Sequence, residues 1–152
     1  MLAKRYRLKI ATWTVVREPG QPSPHRLSDP ETVATLARDL VSANDDDKEH
    51  FWVLLLNSQN HLTCTHHVSM GSLSASIVHP REVFRAAVLA SAAHVILVHN
   101  HPSGDPSPSK EDVHLTRQLV EGARVLGLRI HDHVIIGNGS GQWVSLASRG
   151  LI

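Results

Sequence analysis

The sequence predicts an α/β (or α+β) domain in which a mixed β-sheet is flanked by helices. Three observations lead there. Short apolar runs rich in Val, Ile and Leu recur at Phe51–Leu56, His94–Val98 and 128–136, and their length and β-branching favour buried strands over helices. Other segments carry apolar residues at helical spacing behind a capping residue or a proline. Clusters of Gly, Pro, Asn and Ser separate the two kinds of segment, giving strands with helices interspersed.

Residues 5–16 alternate loosely, Tyr6, Leu8 and Ile10 against Arg7, Lys9 and Ala11, and predict an N-terminal strand. Glu18–Arg26 holds three prolines and a glycine and reads as a loop, so residues 1–27 form an N-terminal strand and Pro-rich loop ahead of a main domain over 28–152. Ser28-Asp29-Pro30-Glu31 starts a helix with Pro30 in its first position, and Val33, Leu36, Ala37 and Leu40 supply its apolar stripe. The run Asp45-Asp46-Asp47 ends that helix as a solvated turn. Phe51–Leu56 is a strand, Asn57–Asn60 a turn, and His61–Val68 the returning arm of a hairpin. Gly71–Ser76 suits a loop or edge strand. Pro80 opens a helix carrying Val83, Ala87, Leu89 and Ala90. A strand over His94–His101, a helix from Ser109 to about Leu126, a strand over 128–136 and a closing segment at Trp143-Val144 complete the order.

Composition limits the function. At 152 residues the chain is one domain with room for a core. Lys plus Arg number 15 against 14 for Asp plus Glu, a formal net charge of +1, which gives no electrostatic reason to expect tight non-specific nucleic-acid binding. A single cysteine, Cys64, precludes an intrachain disulfide and fits a reducing compartment; it reads as a buried, inert thiol. No apolar run approaches the length of a membrane span, and no apolar segment of the signal-peptide kind follows the basic residues at the start. A cytoplasmic location, with no membrane partner, is the expectation.

The chemistry concentrates in residues 99–112, His-Asn-His-Pro-Ser-Gly-Asp-Pro-Ser-Pro-Ser-Lys-Glu-Asp. On a strand, residues i and i+2 share a face, so His99 and His101 project together while Asn100 points away. Ser109-Lys110-Glu111-Asp112 then opens a helix with an N-cap pattern. Two imidazoles and one carboxylate can converge where the strand ends and the helix begins. Three protein ligands with a fourth position left for water is the arrangement of a catalytic zinc site. Asp105 and Asp112 compete for the carboxylate place, and the position of Asp105 in the middle of the turn argues against it.

The spacing His-x-His, seven residues, Ser-x-x-Asp resembles the signature of the JAMM (MPN/JAB) metalloprotease family. The fuller run, together with Val78-His79-Pro80-Arg81-Glu82-Val83-Phe84 before it and Asp132-His133-Val134-Ile135-Ile136-Gly137 after it, resembles the RadC-like branch of that family over residues 29–145. The resemblance implies a JAB/MPN-like, cytidine-deaminase-like topology. It also implies one zinc ion per chain on His99, His101 and Asp112, a motif serine at Ser109 that hydrogen-bonds a developing oxyanion as well as capping its helix, and a catalytic glutamate just ahead of a core strand. Glu49 is the position that matches the last. Glu82 falls in the first turn of a helix, where a carboxylate is expected without function, and Glu111 lies on a different helix face from Asp112. His131 and His133 repeat the i, i+2 spacing, but no nearby carboxylate completes a ligand set, and a supporting or packing role is expected. His66 and His67 face opposite ways.

The implied activity is hydrolysis of a peptide or isopeptide bond by a zinc-activated water. A protein or peptide is the expected substrate, with a conjugate of a ubiquitin-like modifier as one form. The alternative is a DNA-repair-associated or DNA-binding accessory protein without peptidase activity, which the absence of a basic stripe and the few aromatics do not favour. Reading His99-Asn100-His101 as an HNH nuclease fails, since the residues of that class are spread over a ββα metal fold.

Overall fold

The computed structural model describes residues 25–44, 47–71 and 78–152. The expected strand at 5–16, most of the Pro-rich loop, Asp45-Asp46 and the segment 72–77 lie outside the described residues. Five strands and three helices follow in the order α1 (Pro30–Ser42), β1 (Glu49–Leu56), β2 (Leu62–Gly71), α2 (Pro80–Leu89), β3 (His94–His101), α3 (Lys110–Val125), β4 (Arg129–Gly137) and β5 (Trp143–Ser145). The strands form one sheet in the order β2-β1-β3-β4-β5. Only β3 and β4 run parallel; β1 pairs antiparallel with both β2 and β3, and β5 with β4. The helix α3 spans the parallel connection, as such a connection requires. This is the mixed, helix-flanked sheet that the sequence predicts.

Side-chain alternation sorts the core into two layers. Trp52, Leu54 and Leu56 of β1, Ile96 and Val98 of β3, and Val134 and Ile136 of β4 meet Val33, Ala34, Ala37 and Val41 of α1. Phe51, Val53, Leu55, Val95 and Leu97 face the other way, onto Val83 and Ala87 of α2 and Leu119 of α3. Helix starts are set locally. Asp29 accepts the backbone N–H of Thr32 at 2.8 Å with Pro30 behind it. Ser109 and Asp112 make a reciprocal capping box: the Asp112 N–H donates to Ser109 Oγ at 3.0 Å and the Ser109 N–H to Asp112 Oδ2 at 2.7 Å.

Three expectations need correction. β1 begins at Glu49, two residues earlier than the apolar run suggests, because pairing with β2 carries it outward to Glu49 opposite Gly71. β2 likewise runs on past Val68 through Ser69 to Gly71, because these residues pair with Phe51 to Glu49. Cys64 is half-buried, since β2 is an edge strand and only one side of the thiol meets the α2 layer.

Candidate metal centre

His99 and His101 end β3 on the α3 side of the sheet, and Glu49 starts β1 on the same side. Phe51 pairs with His99 in the antiparallel register, so continuing the alternation brings Glu49 toward His101. Beyond Phe51 the two backbones are joined through a side chain. Asn100 Oδ1 accepts the His50 N–H at 2.8 Å, while its Nδ2 donates to the Lys48 carbonyl at 2.9 Å and to Asn138 Oδ1 at 3.2 Å. Asn100 is fully buried and points away from the imidazoles, as expected. Its amide grips the chain on both sides of Glu49, a role the sequence reading did not anticipate.

The Nε2 atoms of His99 and His101 stand 2.9 Å apart. Asp112 brings Oδ1 to 3.4 Å from His99 Nε2 and Oδ2 to 3.5 Å from His101 Nε2. Glu49 Oε1 lies 3.8 and 3.9 Å from the same two nitrogens. A tetrahedral zinc with ligands at about 2.0–2.2 Å separates its donor atoms by about 3.3–3.6 Å. The Asp112–imidazole distances match that edge, the 2.9 Å between the two imidazole nitrogens is shorter than it, and Glu49, His99 and His101 offer ligand atoms within 4.8 Å of one another. The nitrogen and oxygen donors suit zinc. His101 is oriented by its other nitrogen: Nδ1–H donates to the Asp105 carbonyl at 2.7 Å, which leaves Nε2 bare in the neutral ring.

The two carboxylates differ in their surroundings. Burial works to raise the Asp112 carboxyl, but hydrogen bonds with His101 and His99 and from the Ser109 backbone hold it well below its ordinary value. Glu49 has no such support. Desolvation pushes it up to about 7, with His101 opposing and Asp112 assisting. Its side chain is 11% exposed, and Oε1 is the single buried side-chain polar atom among the described residues without a hydrogen-bond partner. A carboxylate committed as an anion sits beside one poised between its two states.

His101 is raised overall, because the hydrogen bonds and charges of Asp112, the Asp105 carbonyl and Glu49 outweigh its burial. His99 and His133 are both lowered by burial. Asp105 keeps its carboxylate in the turn, accepting the Ser107 N–H at 2.9 Å; only its backbone oxygen serves His101. Glu82 pairs with Arg85 at 2.7 Å on α2, and Glu111 is exposed at the start of α3. His131 and His133 do not act together. His131 meets His94 at 2.7 Å and Asn60 at 2.9 Å, whereas His133 lies behind His99 at 2.6 Å. Thr116, which the sequence reading passed over, bonds His133 at 2.6 Å; its buried place on the stripe of α3 is the one signal it gave.

A family model described as the RadC-like JAB domain matches residues 27–151. Similar proteins include a UPF0758 protein of Methanosarcina mazei, 48% identical over 139 residues that make up 91% of this chain and 57% of that protein. One from Caldanaerobacter subterraneus is 56% identical over 103 residues, 68% of this chain and 43% of its own. Another, from Desulforamulus reducens, is 48% identical over 123 residues, 81% and 52% of the two chains. The chain thus spans about half the length of these curated relatives, whose names state no activity.

Proposed function

Since the chain belongs to the RadC-like JAB domain family, we propose that it is a zinc-dependent hydrolase that cleaves a peptide or isopeptide bond, with Glu49 as general base. The observation that carries this is the unpartnered, buried Glu49 Oε1 standing 3.8 and 3.9 Å from two imidazole nitrogens on which Asp112 also converges.

His99, His101 and Asp112 would hold the ion. Zinc there would act as a Lewis acid and lower the pKa of the attacking water toward about 7. Glu49, whose buried Oε1 has no hydrogen-bond partner to compete for it, takes that proton and later passes it to the leaving amine, the two transfers expected of a general base. Ser109 Oγ accepts the Asp112 N–H, which leaves its own hydroxyl proton to donate to the oxyanion. The neighbouring start of α3 adds the positive end of a helix dipole. The substrate class is a protein or peptide, including a conjugate to a lysine side chain, and the water-facing side of Glu49 and His101 is where its carbonyl enters.

The test pairs metal content with turnover. Protein refolded with zinc should hold one ion per chain and hydrolyse a ubiquitin-like protein joined through its C-terminus to a lysine-containing peptide. Glu49→Gln should keep the ion and lose about 10²–10⁴-fold in kcat. Absence of bound zinc, or undiminished turnover by Glu49→Gln, would overturn the reading.

A further inference from the structure

The ring of His99 is held from behind by a chain of three hydrogen bonds. His99 Nδ1 lies 2.6 Å from His133 Nε2. His133 Nδ1 lies 2.6 Å from Thr116 Oγ1, and Thr116 Oγ1 donates to the Asp112 carbonyl at 2.5 Å. The chain crosses from β3 through β4 to α3 and ends on the backbone of the residue whose carboxylate faces His99.

Counting protons gives this chain a direction. A carbonyl oxygen only accepts, so the single hydroxyl proton of Thr116 is committed to Asp112. Thr116 Oγ1 must then accept from His133 Nδ1–H. His133 is 0% exposed, and its two ring nitrogens are occupied by Thr116 and His99 rather than by a carboxylate. A buried cation without a charged hydrogen-bond partner is costly, so the ring is neutral, and with Nδ1 protonated its Nε2 is bare. That bare nitrogen accepts from His99 Nδ1–H. His99, 1% exposed, thereby keeps its proton on Nδ1 and turns Nε2 toward Asp112, His101 and Glu49.

We propose that Thr116 and His133 are positioning residues that fix the Nδ1 proton of His99 and aim its Nε2 at the metal position, a role that rests on the zinc reading above. The relay complements the other ligand, His101, whose Nδ1–H is fixed directly by the Asp105 carbonyl. Because Thr116 also grips the Asp112 backbone, one hydroxyl couples the orientation of a ligand on β3 to the first turn of α3. Metal-bound imidazoles are generally held through their second nitrogen in this way. Here the holding group is another histidine, whose own proton is dictated by a threonine. Packing alone does not require this direction: Phe51 meets the His133 ring edge-on at a centroid distance of 5.5 Å, a contact indifferent to where the proton sits.

The experiment uses ¹⁵N-histidine-labelled protein. In zinc-free wild type, long-range ¹H–¹⁵N correlation should show His99 and His133 each protonated on Nδ1, with His133 bare on Nε2. Thr116→Val keeps the volume and removes the hydroxyl, so it should mix the His99 tautomers and weaken zinc binding, measured by chelator competition, by about 10–100-fold. Thr116→Ser should restore both readings to within a few-fold of wild type. If Thr116→Val does not fold, His133→Phe, which keeps a ring and removes both nitrogens, should show the same loss of zinc affinity. Wild-type His99 bare on Nδ1, or a Thr116→Val protein with unchanged tautomer and zinc affinity, would overturn the relay. Wild type with the expected tautomers and no zinc binding would instead overturn the zinc reading, so the two failures are distinct.

Discussion

The side-chain amide of Asn100 accepts the backbone N–H of His50 at 2.8 Å, and with this bond it takes over from the backbone ladder where β1 and β3 part. Its Nδ2 completes the clamp on the Lys48 carbonyl at 2.9 Å. Glu49 lies between those two backbone groups, so its place above the imidazoles depends on an asparagine that faces the other side of the sheet. Asn100→Ala gives up three hydrogen bonds at a fully buried site, each worth a net of about 0.5–1.5 kcal/mol. We expect stability to fall by about 2–4 kcal/mol in urea denaturation. An unchanged unfolding midpoint would show that the clamp is dispensable.

Glu49 should leave a signature in the stability of the metal-free protein. Its folded carboxyl is pushed up to about 7 from an ordinary 4.5, chiefly by desolvation. Between these values the folded state binds more protons than the unfolded state, so unfolding free energy falls as pH rises through that window. Below it the group is protonated in both states and the penalty vanishes. In chelator-treated protein, Glu49→Gln should therefore be the more stable variant at pH 8, with the difference fading toward pH 4. Equal stability across that range would mean that the carboxyl is not desolvated.

Ser109 has a capping role and a proposed catalytic one, and two substitutions separate them. Ser109→Ala removes the cap at a cost of about 0.5–2 kcal/mol, whereas Ser109→Gly costs only a few tenths. Both abolish the hydroxyl donor. If Ser109 stabilises the oxyanion, both variants should lose about 10²–10³-fold in kcat although thermal denaturation distinguishes them. Activity that tracked stability instead would reduce Ser109 to a cap.

Gly137 closes β4 against the turn that follows His101. A Cβ there would stand 2.1 Å from the Gly104 carbonyl oxygen and 2.9 Å from its carbon, and backbone cannot swing aside as a side chain can. Gly137→Ala should cost about 1–3 kcal/mol and move the turn whose Asp105 carbonyl orients His101. Zinc affinity should fall with stability. A variant that melted like the wild type would place the turn elsewhere in solution.

Much of this molecule was legible in the chain. The apolar runs located β1, β3 and β4, Asp29-Pro30 and Pro80 marked two helix starts, and the Ser109–Asp112 pattern marked the third. The His-x-His spacing put two imidazoles on one face. Such features are local: each follows from strand or helix period, or from a side chain capping its own backbone within a few residues. Edge strands are the least legible, because the far end of β2 and the outward start of β1 owe their extended form to pairing with each other and not to burial.

Pairing order and register decided the remainder. Antiparallel pairing of β1 with β3 carried Glu49 over the imidazoles, and parallel pairing of β4 with β3 set His133 behind His99. The packing of α3 against that sheet brought Thr116 to His133 and Asp112 to the open side. Glu49 and His99 are 50 positions apart, His99 and His133 34, and His133 and Thr116 17, separations at which no local period records who will meet. The sequence by itself therefore determined which groups are available and which way each faces on its own element. Only the tertiary structure decided how they are used, desolvating Glu49 and leaving it without a partner while anchoring Asp112, because both the cost of burial and the hydrogen bonds that offset it arise from neighbours remote in the chain.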